Sequence, residues 1–454
     1  MTSPSDLLLT YYGDDFTGST DTMEVLAQAG VRTLLFMDPP SIEEIARHGD
    51  VRAVGVAGCS RAMSPAEMDA ALPSVFQKLA ALGAPIVRYK VCSTFDSSPT
   101  VGSIGRAIDI GAGATGSPYV PLVVGAPALG RYCVFGNLFA RSGLDTEPFR
   151  LDRHPTMSRH PVTPMDESDL RAHLAKQTSR TAALIDVLDL SATTGELDGT
   201  FEQRIAERPG IVLFDTLRDD QLPAIGRLMW NAAQAAPPMF VAGSSGVEYA
   251  LAAHWRTQGA LTEPPEMTCR AAAALVVVSG SCSPVTANQI DHATRHGFRE
   301  IALDTEALVT PSTRDAAESR FASEASGALN GGHSVTLHTA RGPDDPRVEA
   351  TRRLVRAPAA AAAALGGSIG RILSAILSQT RVTRAVVTGG DSSYHAARAL
   401  GIRSLETVAP IQPGSPMCRV RADHDAVDGV EMLFKGGQVG RPDIFIHALR
   451  GNGP

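Results

Sequence analysis

Short apolar runs alternate with helical patterns along almost the whole chain, and this alternation limits the fold more than any other feature. In the first half the runs are Leu7–Tyr12, Val31–Phe36, Val51–Ala57, Ile86–Lys90, Val120–Gly125, Ala182–Asp186, Ile211–Asp215 and Met239–Gly243. Helical periodicity lies between them near Ser19–Ala29, Pro65–Leu82, Thr100–Ile110, Asp169–Gln177 and Leu222–Ala235. Near-continuous apolar strands separated by helices predict an α/β fold, with a mostly parallel sheet covered by helices on both faces. A polar break at Gln258–Thr268, punctuated by Gly259, Pro264 and Pro265, suggests a domain boundary. A second α/β series then starts at Ala274–Ser279. It continues near Glu300–Leu303, Ser334–Thr339, Ala385–Thr388, Ser404–Val408, Met417–Arg421 and Met432–Lys435. Two domains are therefore expected, over residues 1–262 and 271–454, a division that the chain's 454 residues can support. The segment Arg131–Pro164 shows no clear period and reads as a long surface excursion. The six alanines of Ala359–Ala364 read as part of a long helix reaching Gln379.

In an open α/β sheet, ligands bind at the carboxyl ends of the strands. The first strand ends in Tyr12-Gly13-Asp14-Asp15-Phe16-Thr17-Gly18-Ser19-Thr20-Asp21. Adjacent carboxylates at that position suit a proton acceptor or a magnesium site. Asp21, with Glu24 three residues on, also fits a capping box for the helix. Other strand ends in this half carry cations and hydroxyls: Ser60-Arg61, Lys90 followed by Ser93-Thr94, and Gly130-Arg131. Each alone fits a solvated side chain or a turn. Together they fit an acidic polyol, because a guanidinium meets a carboxylate through two parallel hydrogen bonds. Gly243-Ser244-Ser245-Gly246 is either a turn or part of the same pocket, and His154 and His160 read as loop residues.

Three strand ends in the second half are rich in glycine or serine. They are Ser279-Gly280-Ser281-Cys282-Ser283-Pro284, Thr388-Gly389-Gly390-Asp391-Ser392-Ser393, and Phe434-Lys435-Gly436-Gly437-Gln438-Val439-Gly440. Glycine at a strand-to-helix turn lets the backbone approach a ligand, and a helix N-terminus attracts phosphate. Helix capping is the plain alternative for Ser281 and Ser283. Neither a Gly-x-x-x-x-Gly-Lys-Ser/Thr loop nor a Gly-x-Gly-x-x-Gly turn after a strand is present.

A net charge of −7 with no basic run argues against a nucleic-acid partner, and the absence of a polybasic segment argues against a membrane partner. The longest apolar runs, such as Ala271–Val278, are short for a bilayer span. No secretory leader pattern opens the chain. The six cysteines form no Cys-x-x-Cys pair, so neither a zinc site nor a redox motif is indicated, and a cytoplasmic setting with free thiols is expected.

The motifs together resemble the four-carbon acid sugar kinases, which phosphorylate erythronate, threonate and oxo-tetronates with ATP. Gly13-Asp14-Asp15-Phe16-Thr17-Gly18 resembles that family's Asp-Asp-x-Thr-Gly signature, and Lys90 with Ser93-Thr94 its Lys…Ser-Thr element. Gly130-Arg131, Gly243-Ser244, the Gly280–Thr286 turn, Gly389–Ser392, Pro413-Gly414 and Lys435-Gly436-Gly437 follow in the family's order. The resemblance implies a sugar-acid-binding N-terminal domain, a nucleotide-binding C-terminal domain and an active site in the cleft between them. It implies acid contacts at Asp14, Asp15, Arg61, Lys90, Ser93 and Thr94, with Arg131 as a further cation. It implies ATP contacts at Ser281, Ser283, Gly389, Gly390, Asp391, Ser392, Gly414 and Gly436. ATP with Mg2+ is the implied cosubstrate pair, Asp15 is favoured over Asp14 as the base, and a homodimer is compatible with the chain.

One element departs from the family. Its usual Leu-Arg-Gly-Asn after Ser-Thr is replaced by Phe95-Asp96-Ser97-Ser98. A branched acid such as 3-oxo-isoapionate is therefore a candidate beside the linear tetronates. Two other classes stay open: a non-catalytic sugar-acid sensor, and a lyase or aldolase using Lys90 as its amine.

Overall fold

The computed structural model describes residues 7–142, 146–160, 162–261, 263–264 and 266–452. In chain order the strands are β1 (Leu9–Gly13), β2 (Thr33–Phe36), β3 (Ala53–Ala57), β4 (Ile86–Lys90), β5 (Val120–Val123), β6 (Arg131–Val134), β7 (Asn137–Arg141), β8 (Pro148–Arg150) and β9 (Ala182–Ile185). They continue with β10 (Ile211–Phe214), β11 (Met239–Gly243), β12 (Val276–Ser279), β13 (Arg299–Ala302), β14 (Val335–His338), β15 (Arg384–Thr388), β16 (Ile402–Gln412), β17 (Ser415–Ala422) and β18 (Glu431–Lys435). The helices are α1 (Phe16–Gln28), α2 (Ile42–Ala46), α3 (Pro65–Ala81), α4 (Ile104–Thr115), α5 (Leu170–Ala175), α6 (Thr194–Ala206), α7 (Leu222–Ala235) and α8 (Gly246–Thr257). The later helices are α9 (Pro284–Arg295), α10 (Thr305–Val309), α11 (Pro311–Asn330), α12 (Pro346–Leu354), α13 (Pro358–Gln379), α14 (Gly390–Ala399) and α15 (Ile444–Arg450).

The chain divides into two compact units, and the division does not follow sequence order alone. The first unit comprises residues 1–14, 25–33 and 39–264; the second comprises residues 15–24, 34–38 and 265–454. The chain thus passes from the first unit to the second at the Asp14–Asp15 peptide bond. The opening turns of α1 and most of β2 belong with the C-terminal part.

In the first unit, parallel strands run in the order β3-β1-β4-β11-β5-β10-β9. All five residues of β1, β3, β4 and β11 are buried, as a sheet covered on both faces requires. The register aligns Gly13 with both Ala57 and Lys90, and Lys90 with Gly243, so these four strands end at one level. The segment read as an aperiodic excursion instead forms an antiparallel sheet, β6-β7-β8. Its strands are three to five residues long and only half-buried, so they leave little periodicity to detect.

In the second unit the order is β13-β14-β12-β15-β18-β17-β16-β2. The first five are parallel and the last three antiparallel, with Leu34–Phe36 of β2 paired to Ser404–Glu406 of β16. Here too the central strands end in register, Ser279 beside Thr388 and Thr388 beside Lys435. Val277, Ile290, Val386, Leu433, Ile444 and Phe445 form part of the core under this sheet.

Ala359–Gln379 of α13 is long and apolar enough, by length and composition, to cross a membrane, which the reading of short apolar runs missed. Its small residues explain that composition: Gly366 and Gly370 lie against α14, where a Cβ on Gly370 would come within 2.6 Å of the Ala396 carbonyl. Close packing against a neighbour accounts for the small residues on that face of the helix.

Candidate active site

In the first unit, the aligned strand ends bring charged and hydroxyl side chains together. Asp14 follows β1 and is only 1% exposed. Its backbone N–H donates to the Lys90 carbonyl at 2.9 Å, and its carbonyl accepts from the Arg61 N–H at 2.9 Å. Arg61 lies in a short 3-10 turn after β3 and grips the Asp14 carboxylate through both Nε and Nη2, at 3.1 and 2.8 Å. The Cys92 N–H donates to the same carboxylate at 3.3 Å. Lys90 ends β4, is 3% exposed and donates from Nζ to the Val91 carbonyl at 3.1 Å. The buried Tyr89 hydroxyl meets Ser60 Oγ at 3.0 Å, and burial together with the nearby Asp14 holds its pKa well above the phenolic range.

The loop that departs from the family motif is tightly built. Thr94 donates to Asp96 at 2.7 Å and contacts the Cys92 sulfur at 3.0 Å, while Ser93 is half-buried beside it. Phe95 is fully buried at a positive φ of 58° and stacks edge-on against His173. Ser97 Oγ meets His173 Nε2 at 2.9 Å and accepts from Gln177 at 3.0 Å. Burial lowers the His173 pKa to about 4, so the ring is neutral at ordinary pH. Arg131, at the start of β6, donates to the carbonyls of Leu129, Gly130 and Arg141. Burial lowers its pKa, while Cys92 and Asp96 act in the opposite direction, which places the guanidinium within electrostatic reach of this loop. Burial also pushes the Cys92 thiol up to about 11, so it is no ready nucleophile.

In the second unit, Asp15 precedes α1 and caps it. Its carboxylate accepts from the Gly18 N–H at 2.9 Å and from Thr17 Oγ1 at 3.0 Å. The helix begins three residues before its expected start, so Asp21 lies inside it and the Asp21–Glu24 capping box does not form. Glu24 reaches the β16–β17 hairpin instead and accepts from the Gly414 N–H at 3.0 Å. Burial first, then the neighbouring Asp21, raises its pKa to about 8.

The three glycine-rich strand ends converge. Ser283 caps α9 by accepting from the Val285 N–H, and Ser281 Oγ accepts from the Ser283 N–H. A Cβ on Gly280 would collide with the Ser392 hydroxyl, so only glycine lets the first two turns meet. Gly389 adopts φ +115° and donates from its N–H to the Lys435 carbonyl at 3.0 Å. The helix after it starts at Gly390, which places Gly390, Asp391 and Ser392 in the first turn of α14. Gly437 accepts from Thr286 of α9 through its carbonyl at 2.8 Å. Ser281, Ser283, Gly389–Ser392 and Gly436 therefore cluster, with Gly414 on a hairpin two strands along the sheet.

Sequence reasoning treated Gly243–Gly246 as a turn or a pocket wall; it ends β11 and opens α8. Below it lies a buried ion pair that sequence reasoning missed, Arg88 with Glu248. Both side chains are fully buried, and Arg88 also donates to the Gly243 and Ser244 carbonyls. An apolar stretch interrupted by one arginine, Ile86-Val87-Arg88-Tyr89, was the available clue. His154 and His160 bond to their own turns, His154 Nδ1 accepting from the Thr156 and Met157 N–H groups and His160 Nδ1 from the Thr163 N–H.

Comparison with known proteins finds two family models along the chain. Residues 9–251 match the model of a sugar-binding N-terminal domain, and residues 276–445 match that of a nucleotide-binding C-terminal domain. The chain belongs to the four-carbon acid sugar kinase family. Among its relatives, a 3-oxo-isoapionate kinase of Paraburkholderia graminis is 47% identical, the alignment covering 97% of this chain and 94% of that protein. A 3-oxo-tetronate kinase of Burkholderia multivorans is 30% identical, over 99% and 98% of the two chains. A solved Salmonella typhimurium LT2 structure superposes with a TM-score of 0.77 at 24% identity, covering 97% of this family member and 98% of that chain. That last likeness concerns the fold.

Proposed function

We propose that this chain is an ATP-dependent kinase that phosphorylates a hydroxyl of a small sugar acid, with a branched 3-oxo acid of the 3-oxo-isoapionate type as substrate. The observation that carries the reading is the pair of strand-end sets: cations and hydroxyls around Asp14 in the first unit, and glycine turns with capped helix N-termini in the second. The chain itself joins the sets at the Asp14–Asp15 bond. The choice of a branched acid rests on the Phe95–Ser98 loop, where Asp96 and Ser97 stand in place of the family's usual arginine element, and on the 47% identity to the Paraburkholderia protein.

In this reading Lys90, Arg61 and Arg131 draw the acid's carboxylate, and Ser93, Thr94 and Asp96 bond its hydroxyls. The bidentate pair with Asp14 fixes the direction in which the Arg61 guanidinium points. Asp15 takes the proton of the attacking hydroxyl. It is half-buried and accessible, whereas Asp14 is buried under Arg61 and the Cys92 N–H. The N-termini of α9 and α14 orient the triphosphate through backbone N–H groups and the helix dipole.

Magnesium with a nucleotide binds largely through phosphate oxygens and water, with one or two carboxylates. Asp391, exposed in the first turn of α14, is the carboxylate suited to add a ligand. When bound, the ion screens the phosphate charge. ATP is held in the cytoplasm, and six free cysteines agree with that compartment.

A linear 3-oxo-tetronate is the second reading, favoured by the 30% identity to the Burkholderia protein. ADP release measured with 3-oxo-isoapionate, 3-oxo-tetronates, erythronate and threonate distinguishes them. The proposal expects the highest kcat/KM for the branched acid. A tetronate preferred by tenfold or more would transfer the assignment to the linear class.

A further inference from the structure

The second unit contains a buried amine whose place in the fold is not explained by any ion pair among the described residues. Lys435 is the last residue of β18, and its side chain is fully buried. Its Nζ donates to the Gly436 carbonyl at 2.9 Å and to Thr286 Oγ1 at 3.4 Å, both neutral oxygens. Among the described residues no carboxylate pairs with it, although buried lysines almost always have such a partner. Thr286 lies in the first turn of α9, so the amine also stands at the positive end of a 12-residue helix. A protonated amine there would face the positive end of the helix with no carboxylate among the described residues to offset it. Two further hydroxyls of this strand-end region, Thr388 Oγ1 and Ser393 Oγ, are buried without a hydrogen-bond partner. An anion beside the Ser281, Gly389 and Gly436 turns would balance the charge.

We propose that Lys435 is the buried cation of the nucleotide site, protonated when the triphosphate is bound and largely deprotonated when it is absent, so that ATP binding takes up a proton. The inference rests on reading this unit as an ATP site. Lys435 does not touch solvent, so it is a positioning residue. Its ammonium holds the Gly436 carbonyl and Thr286, and through them the Gly436-Gly437 turn and the N-terminus of α9. On binding, one proton passes from the medium to Nζ, and on release it returns.

Burial alone lowers this amine to about 7. The titratable groups on the elements around it add nothing of note to that shift. These are Arg384, Cys418, Arg419 and Arg421 on the flanking strands, Asp291, His292 and Arg295 on α9, Asp391, His395 and Arg398 on α14, Asp21 and Glu24 on α1, and Asp15 just before it. A triphosphate close by would favour the charged form and raise the pKa again.

Calorimetric titration of the full chain with MgATP, in two buffers of different ionisation enthalpy at about pH 8, reads the linked proton directly. The proposal expects uptake of roughly one proton per nucleotide bound, because the free amine would be about nine-tenths neutral at that pH. Lys435→Arg, permanently charged, should bind ATP without uptake, and Lys435→Met should bind it about tenfold or more weakly, also without uptake. Wild-type ATP binding with equal heats in both buffers overturns the proposal, as does undiminished uptake in either variant. If the Met variant is unfolded by its thermal transition, the Arg variant decides by the same criterion. Failure of the wild-type chain to bind ATP at all overturns the nucleotide-site reading itself. ATP binding without a linked proton overturns only the role of Lys435.

Discussion

Asp15 combines two jobs that a pair of substitutions can separate. Its carboxylate caps α1 and, in the proposed mechanism, accepts the proton of the attacking hydroxyl. Asparagine caps a helix about as well as aspartate but is no base. Asp15→Asn should therefore keep the thermal midpoint and ATP affinity while kcat falls by roughly 10²–10⁴. Asp15→Ala should lose the same activity and also about 0.5–2 kcal/mol of stability. Turnover of the Asn variant near the wild-type level would remove Asp15 from the chemistry. Glu24 gives a second prediction at this scale. Its folded-state pKa is about 8 against an ordinary 4.5, so the native state keeps a proton that the unfolded chain releases above pH 4.5. The contribution of Glu24 to stability is complete below about pH 4.5 and declines as pH rises to about 8. Glu24→Gln, which mimics the protonated form, should flatten that part of the profile of thermal midpoint against pH. An unchanged slope would show that Glu24 does not titrate there.

At the scale of elements, close approach of backbones is the recurring device. Gly370 seats α13 against α14, and a leucine there would drive its Cβ to within 2.6 Å of a carbonyl that cannot move without disturbing α14. Gly370→Leu should cost at least about 1–3 kcal/mol, measured by denaturant unfolding, and a neutral result would mean that the two helices are not packed so tightly. Gly280 plays the corresponding part between the Ser281 turn and α14, where an added methyl meets Ser392. Gly280→Ala should raise the KM for ATP several-fold and leave the KM for the acid nearly unchanged. A change in the acid's KM alone would contradict the assignment of these turns. This scale also shows which elements the sequence made legible. Buried strands such as Ile86–Lys90 and Met239–Gly243 came out to the residue, because parallel strands are apolar runs with sharp ends. The start of α1 at Phe16 was read late. Threonine, glycine and serine in its first turn look like loop, and the cap that decides the start is a tertiary detail of one side chain. The β6–β8 sheet was missed because short, half-buried strands alternate too few residues to show a period.

For the whole molecule, the chain order of the motifs was legible but the way they are shared between the units was not. The sequence suggested one break near Gln258–Thr268. The contacts instead assign residues 15–24 and 34–38 to the C-terminal unit, and such an exchange leaves no compositional trace. Strand ends could be located, since polar residues after apolar runs mark them. That Asp14 would be gripped by Arg61, or that Lys435 would be buried without a carboxylate, depends on register between strands far apart in the chain. The central claim, a phosphoryl transfer from ATP to a branched sugar acid, has one direct test. Phosphorus NMR of the full chain with ATP, magnesium and 3-oxo-isoapionate should show a phosphomonoester appearing in step with ADP, and neither without the acid. ATP left intact in the presence of that acid and of every tetronate tested would contradict the account.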